Sequence, residues 1–72
     1  MTITVEAAIK ALPFVTRIEH GMIDGEPDLI VFVEGRSTIA QIDAVIDAKW
    51  AALDAGADYM DIRRIHGEKD NE

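Results

Sequence analysis

The chain has 72 residues, 14 acidic against 7 basic side chains, a formal net charge of -7 and no cysteine. That length holds one domain and one core, and the missing cysteines exclude disulfide staples, thiol nucleophiles, CxxC redox motifs and zinc-finger spacings. The acidity argues against direct binding to nucleic acid or to an anionic membrane surface, because either requires a basic patch and the only basic doublet is Arg63-Arg64.

In chain order, Val5, Ala8, Ile9 and Leu12 recur at helical spacing and Pro13 forbids continuation, which predicts a first helix from residue 5 to about 12. From Phe14 the period changes to two. Phe14, Thr16, Ile18, His20 and Met22 share one face, and Val15, Arg17, Glu19 and Ile23 share the other. The turn formers Asp24-Gly25-Glu26-Pro27-Asp28 then lead into the apolar run Leu29 to Val33, so the two strands should close as a hairpin. Thr38 and Gln41 fit a capping box, with Ser37 as an alternative cap, and Gly56 stands where a helix would end. A second helix over residues 39–55 follows. Residues 57–66 read as a last strand, with Met60, Ile62 and Arg64 on one side and Tyr59, Asp61, Arg63 and Ile65 on the other.

The expected architecture is a single α+β domain over residues 1–67 with a flexible polar tail over 68–72. A small single-layer sheet is covered on one face by two helices in the order α-β-β-α-β. An alternative makes Thr2-Ile3-Thr4-Val5 a short first strand, converting the order to the ferredoxin-like β-α-β-β-α-β. In length and rhythm that variant resembles heavy-metal-associated domains. The metal-binding cysteine pair of that family is missing, so the resemblance implies topology only.

Chemistry finds little foothold. His20 and His66 stand in no metal-ligand spacing, and Ser37, the only serine, sits at a helix start with no nucleophile elbow around it. Gly35-Arg36-Ser37-Thr38 lacks the glycine pattern of a phosphate loop. Asp24, Glu26 and Asp28 alternate as in a calcium loop, but Leu29 and Gly35 occupy the places that need glycine and glutamate. No catalytic residue, metal ligand or cofactor is assigned, and the expectation is a cytoplasmic protein that is not an enzyme.

Binding surfaces are better marked. On a helical wheel the second helix carries an apolar stripe of Ile39, Ile42, Val45, Ile46, Trp50 and Leu53, an acidic flank of Asp43, Asp47 and Asp54, and an alanine back. The second strand is apolar on both sides. With Leu29, Val31 and Val33 facing the helices, Ile30 and Phe32 emerge on the open face near Tyr59 or Val15, unless long neighbours such as Arg17 and Arg63 screen them.

Two functions follow from these surfaces. The first is a protein-protein interaction module, a homodimer or an accessory subunit, anchored by Ile30, Phe32, Trp50 and Tyr59 on a protein partner or a second copy. The second is a small acidic inhibitor, of the kind phages use against host defence systems. It would occupy a basic nucleic-acid channel through Glu19, Asp24, Glu26, Asp28, Glu34, Asp43, Asp47 and Asp54.

Overall fold

The computed structural model describes residues 3–70. It shows a mixed α+β fold in the order α1 (Val5–Lys10), β1 (Val15–Ile23), β2 (Glu26–Val33), α2 (Ile39–Asp54), β3 (Asp61–Gly67). The sheet order is β1-β2-β3, with β1 antiparallel and β3 parallel to β2. Val5 opens α1 behind the N-cap Thr4, and β3 pairs directly with β2. The ferredoxin-like alternative is thereby replaced by the five-element order; Thr2 lies outside the described residues. No helix among the described residues is long and apolar enough to cross a membrane.

Local chemistry accounts for the element ends. Thr4 Oγ1 accepts the Ala7 N–H at 3.0 Å and starts α1. At α2, Thr38 Oγ1 accepts the Gln41 N–H at 3.2 Å while Gln41 Oε1 accepts the Thr38 N–H at 2.9 Å, completing the capping box. Asp24 and Gly25, at φ 52° and 80°, form a two-residue turn whose left-handed backbone matches the twist of a hairpin. β2 therefore begins at Glu26, and Pro27 stands where only β1 flanks the strand.

The core lies between the sheet and the two helices. Leu29, Val31 and Val33 of β2 are fully buried, facing Val5 and Ile9 of α1 and Val45 and Ala52 of α2. Six residues are too few for a helix to hold on its own, so α1 persists by burying Val5 and Ile9. Direct strand partners share a face, which puts Val15, Ile18 and His20 on the helix side of β1, opposite Val33, Val31 and Leu29.

Two irregularities break the expected alternation. On β1 a register shift between Val15 and Arg17 leaves Thr16 unpaired, so Val15 turns into the core instead of onto the open face. On β3 a shift opposite Leu29 and Ile30 leaves Arg63 unpaired, so Ile62 and Ile65, read from sequence as lying on opposite sides, both pack against the core. In each edge strand one extra residue brings a further apolar side chain inward. β3 also starts four residues later than its periodicity predicted, so Tyr59 precedes the strand.

After β3 the chain is tied down. Glu68 and Lys69 donate their N–H groups to the carbonyls of Val33 and Gly35. The Asp70 carboxylate accepts the Gly67 N–H at 2.8 Å, the Ser37 hydroxyl at 2.9 Å and the Ser37 N–H at 3.3 Å. Residues 68–70, expected as the start of a free tail, thus close over the loop before α2. Ser37 serves that latch, and Thr38 alone caps the helix.

The Gly67 N–H and the Ser37 hydroxyl hold the Asp70 carboxyl below the ordinary aspartate range. A folded-state pKa below the unfolded one means that acid protonates the unfolded chain first. The stabilisation from the latch is complete above the ordinary aspartate pKa and is lost as pH falls through the lowered one. Urea denaturation across an acid pH series is expected to show wild type more stable than Asp70→Asn near neutrality. The gap should close as Asp70 becomes protonated; a gap that does not change with pH would show that its charge contributes nothing.

Candidate interaction surfaces

The open face of the sheet is built from three cross-strand rows. Arg17, Phe32 and His66 form one; Glu19, Ile30 and Arg64 the next; Gly21, Asp28 and Asp61 the third. Ile30 and Phe32 do reach this face, as their alternation required, and both are half-buried there. The Arg17 guanidinium lies 4.0 Å from the centre of the Phe32 ring, and His66 meets the same ring edge-on at 5.6 Å. Arg17 is held in turn by Glu19 at 3.4 Å and Glu68 at 3.8 Å. The flanking residues are these charged side chains, and neither Tyr59 nor Val15 stands beside Ile30 or Phe32 in the strand pairing. The apolar anchor expected here is in large part roofed by arginine.

Asp28 occupies the third row and corrects the reading of the hairpin acids. It is 4% exposed, and its Oδ2 accepts from Arg63 Nε at 2.8 Å. Arg63 reaches across from the irregularity in β3 and also donates to the Met22 carbonyl at 3.2 Å. Gly21 makes room for this pair: a Cβ there would fall 2.6 Å from Asp28 Oδ1 and 2.9 Å from Arg63 Nη2. Asp28 Oδ1 is buried without a hydrogen-bond partner among the described residues, so the carboxylate depends on Arg63 for its charge balance.

The remaining acids are dispersed. Glu19 is paired with Arg17 on the open face. Asp24 and Glu26 mark the turn end of the hairpin, while Glu34 follows the far end of β2. Asp43, Asp47 and Asp54 are exposed on α2. Only these last three form a stripe, which runs along one element.

Helix α2 is turned relative to its apolar stripe. Val45 and Ala52 are its buried residues, and Ala48 packs against the core beside them. α1 lies on the same side of the sheet and packs against α2, and the small side chains of Ala48 and Ala52 in the shared core permit close approach. That rotation lifts out the other edge of the stripe: Ile39 is 79% exposed, Trp50 54% and Ile46 39%. Ile39 and Ile46, read from sequence only as members of the apolar stripe, therefore join Trp50, expected as a binding anchor, in an exposed ridge.

Beside the ridge, between α2 and β3, runs an open groove of about 380 Å³. Ile42, Ile46, Ile62 and Ile65 supply its apolar wall, and Lys49, Asp61, Arg63 and Arg64 its charge. β3 is an edge strand, so one row of its backbone N–H and C=O groups faces outward with no strand partner. Lys49, whose side chain is 11% exposed, sits 4.9 Å from the Tyr59 ring, 5.2 Å from the Trp50 ring and 3.7 Å from Asp61 Oδ1. It joins Trp50 and Tyr59 into one rim. The sequence reading missed Lys49 and the groove, though the spacing of Lys49 from Ile42 and Ile46 would have placed all three on adjoining sides of the helix.

Among the described residues no three His, Cys, Asp or Glu side chains are placed to hold a metal ion. His20 Nε2 lies 2.7 Å from Glu6 Oε1, linking β1 to α1. No protein-family model, curated protein or solved structure matches this chain.

Arg63→Ala is expected to cost about 2 kcal/mol or more, because it strands a buried carboxylate. Adding Asp28→Asn should recover part of the loss by removing the buried charge. Gly21→Ala should be destabilising by about 1–3 kcal/mol through direct crowding of the pair. Urea unfolding midpoints read all three. An Arg63→Ala midpoint equal to wild type would remove Arg63 as the counter-charge.

Proposed function

We propose that this chain is a non-enzymatic protein-interaction module that docks a protein through the α2–β3 groove and the exposed Ile46, Trp50 and Tyr59 beside it. The observation that carries the reading is the continuity of that apolar surface with the unpaired edge of β3. Aromatic and large aliphatic side chains around a groove are the usual energetic centre of a protein interface. An open strand edge adds backbone hydrogen bonding to any extended partner. Association also supplies burial that a chain of 72 residues lacks by itself. The absence of cysteine suits the reducing cytoplasm, where we place the protein.

Of the four apolar anchors read from sequence, Trp50 and Tyr59 belong to this docking surface, and Ile30 and Phe32 serve the roofed face of the sheet. The exposed stripe Asp43, Asp47, Asp54 favours a second reading, a small acidic inhibitor of a basic nucleic-acid channel. Capture lost steeply with added salt would favour that reading over the apolar groove.

A photo-crosslinking residue placed at Ile46, in the groove, should give specific protein adducts in the native cell. The same residue at Ala40, exposed elsewhere on α2, should not. No adduct at Ile46, or equal adducts at both positions, would remove the groove as the docking surface.

A further inference from the structure

We propose that the open edge of β3 receives an extended segment of another protein as a fourth strand, one whose side chains alternate between aliphatic and acidic. The proposal rests on the interaction-module reading and names the chemistry of its partner. The backbone groups of β3 decide where such a strand can pair. In the parallel ladder with β2 the Glu68 N–H donates to the Val33 carbonyl, and the register from Arg64 to Gly67 is unbroken. The N–H groups of a strand turn to alternate sides, so those of His66 and Arg64 also face β2, whereas those of Gly67 and Ile65 face away. Asp70 accepts the Gly67 N–H at 2.8 Å and closes that end. Between the irregularity at Arg63 and this latch, Ile65 is the residue that offers both its N–H and its C=O to a strand arriving from outside.

The two sides of β3 then dictate the side chains of the partner. Residues directly opposite on paired strands share a face, with Cβ atoms about 5 Å apart. Ile65 lies on the helix side with its strand partner Val31, and Ile42 and Ile46 line the same groove, so the side chain set beside Ile65 is aliphatic. On the open face its two neighbours are Arg64 and His66. Arg64 stands at the outer end of the row it forms with Ile30 and Glu19, is exposed, and makes no ion pair among the described residues. The other bases near this edge are committed, Arg63 to Asp28 and Lys49 to Asp61. A carboxylate beside Arg64 completes a cross-strand pair of opposite charge, whereas a lysine there opposes like charges.

The net charge of -7 does not forbid an acidic partner. At physiological ionic strength exposed charges more than about 8 Å apart are largely screened, so the nearest side chain, Arg64, outweighs the distant acids. The β3 strand of a second copy fits less well. Paired antiparallel about Ile65, two copies would set Arg64 against His66 at both ends and bring each Arg63 to the latched Gly67 of the other. A charge on an edge strand turns away strands of the same sign. Arginine at this position does so while leaving the edge open to a strand of the opposite sign.

A short end-blocked peptide alternating valine and glutamate probes the edge, with a counterpart carrying lysine for glutamate. Amide chemical shifts and hydrogen exchange of the full chain, at about 0.15 M salt, follow binding. The glutamate peptide should bind about tenfold or more tighter than the lysine peptide. It should also slow exchange of the Ile65 amide by about tenfold or more, because that N–H becomes paired. Arg64→Glu should reverse the order of the two peptides at an unchanged urea midpoint. No binding of the glutamate peptide at about 1 mM, equal affinity for the two peptides, or an Ile65 amide that exchanges as before overturns the added strand. If Ile46 then still crosslinks to another protein, the interaction-module reading stands without it; if Ile46 gives no adduct, both fall. A wild-type chain that sediments as a dimer and excludes the peptide makes a second copy the occupant and overturns the proposal as well.

Discussion

Strand β2 is apolar on both faces and runs through the middle of a sheet that has helices on only one side. Leu29, Val31 and Val33 take the covered side, so Ile30, Phe32 and Asp28 need another roof. It comes from the two edge strands, each with one residue more than its pairing requires. Thr16 is the extra residue of β1, beside Arg17 over the Phe32 ring; Arg63 is that of β3 and reaches Asp28. Charged side chains with long aliphatic stems do here what a second layer of helices does in larger sheets.

The same shortage of covering elements governs the helix layer. Two helices share one face of three strands, and α2 must contact both the sheet and α1. It does so with Val45, Ala48 and Ala52 at its centre, which leaves Ile39, Ile46 and Trp50 without cover. Among the described residues no further strand lies beyond β3 to close that side, so the groove and the exposed ridge arise together from one geometric cause. The surface proposed for binding is thus the region where this small fold runs out of its own cover.

Much of this was legible from residue order. The capping box of Thr38 and Gln41, the turn at Asp24-Gly25 and the inward set Leu29, Val31, Val33 depend on neighbours within a few positions and appear as read. Tyr59 was misplaced because an alternating pattern does not say where pairing begins; β3 starts only where Asp61 meets Asp28. Val15 and Ile65 were assigned to the wrong face because strict alternation assumes an unbroken ladder. A trace of the second break was visible in Ile62 and Ile65, two apolar residues at a spacing no regular strand places on one side.

By itself the sequence determined the element order, the helix and hairpin ends and the inner face of β2, since each follows from backbone propensity and short-range hydrogen bonding. Only the tertiary structure decided which side of α2 is buried, because a wheel with apolar, acidic and alanine sides has more than one face that can pack. Tertiary structure also decided which charges are available. Asp28 and Arg63 are 35 residues apart in the chain and consume each other, whereas Arg64, next to Arg63, makes no ion pair among the described residues. Adjacent residues in a strand point to different surroundings, and what stands there is set by partners distant in sequence.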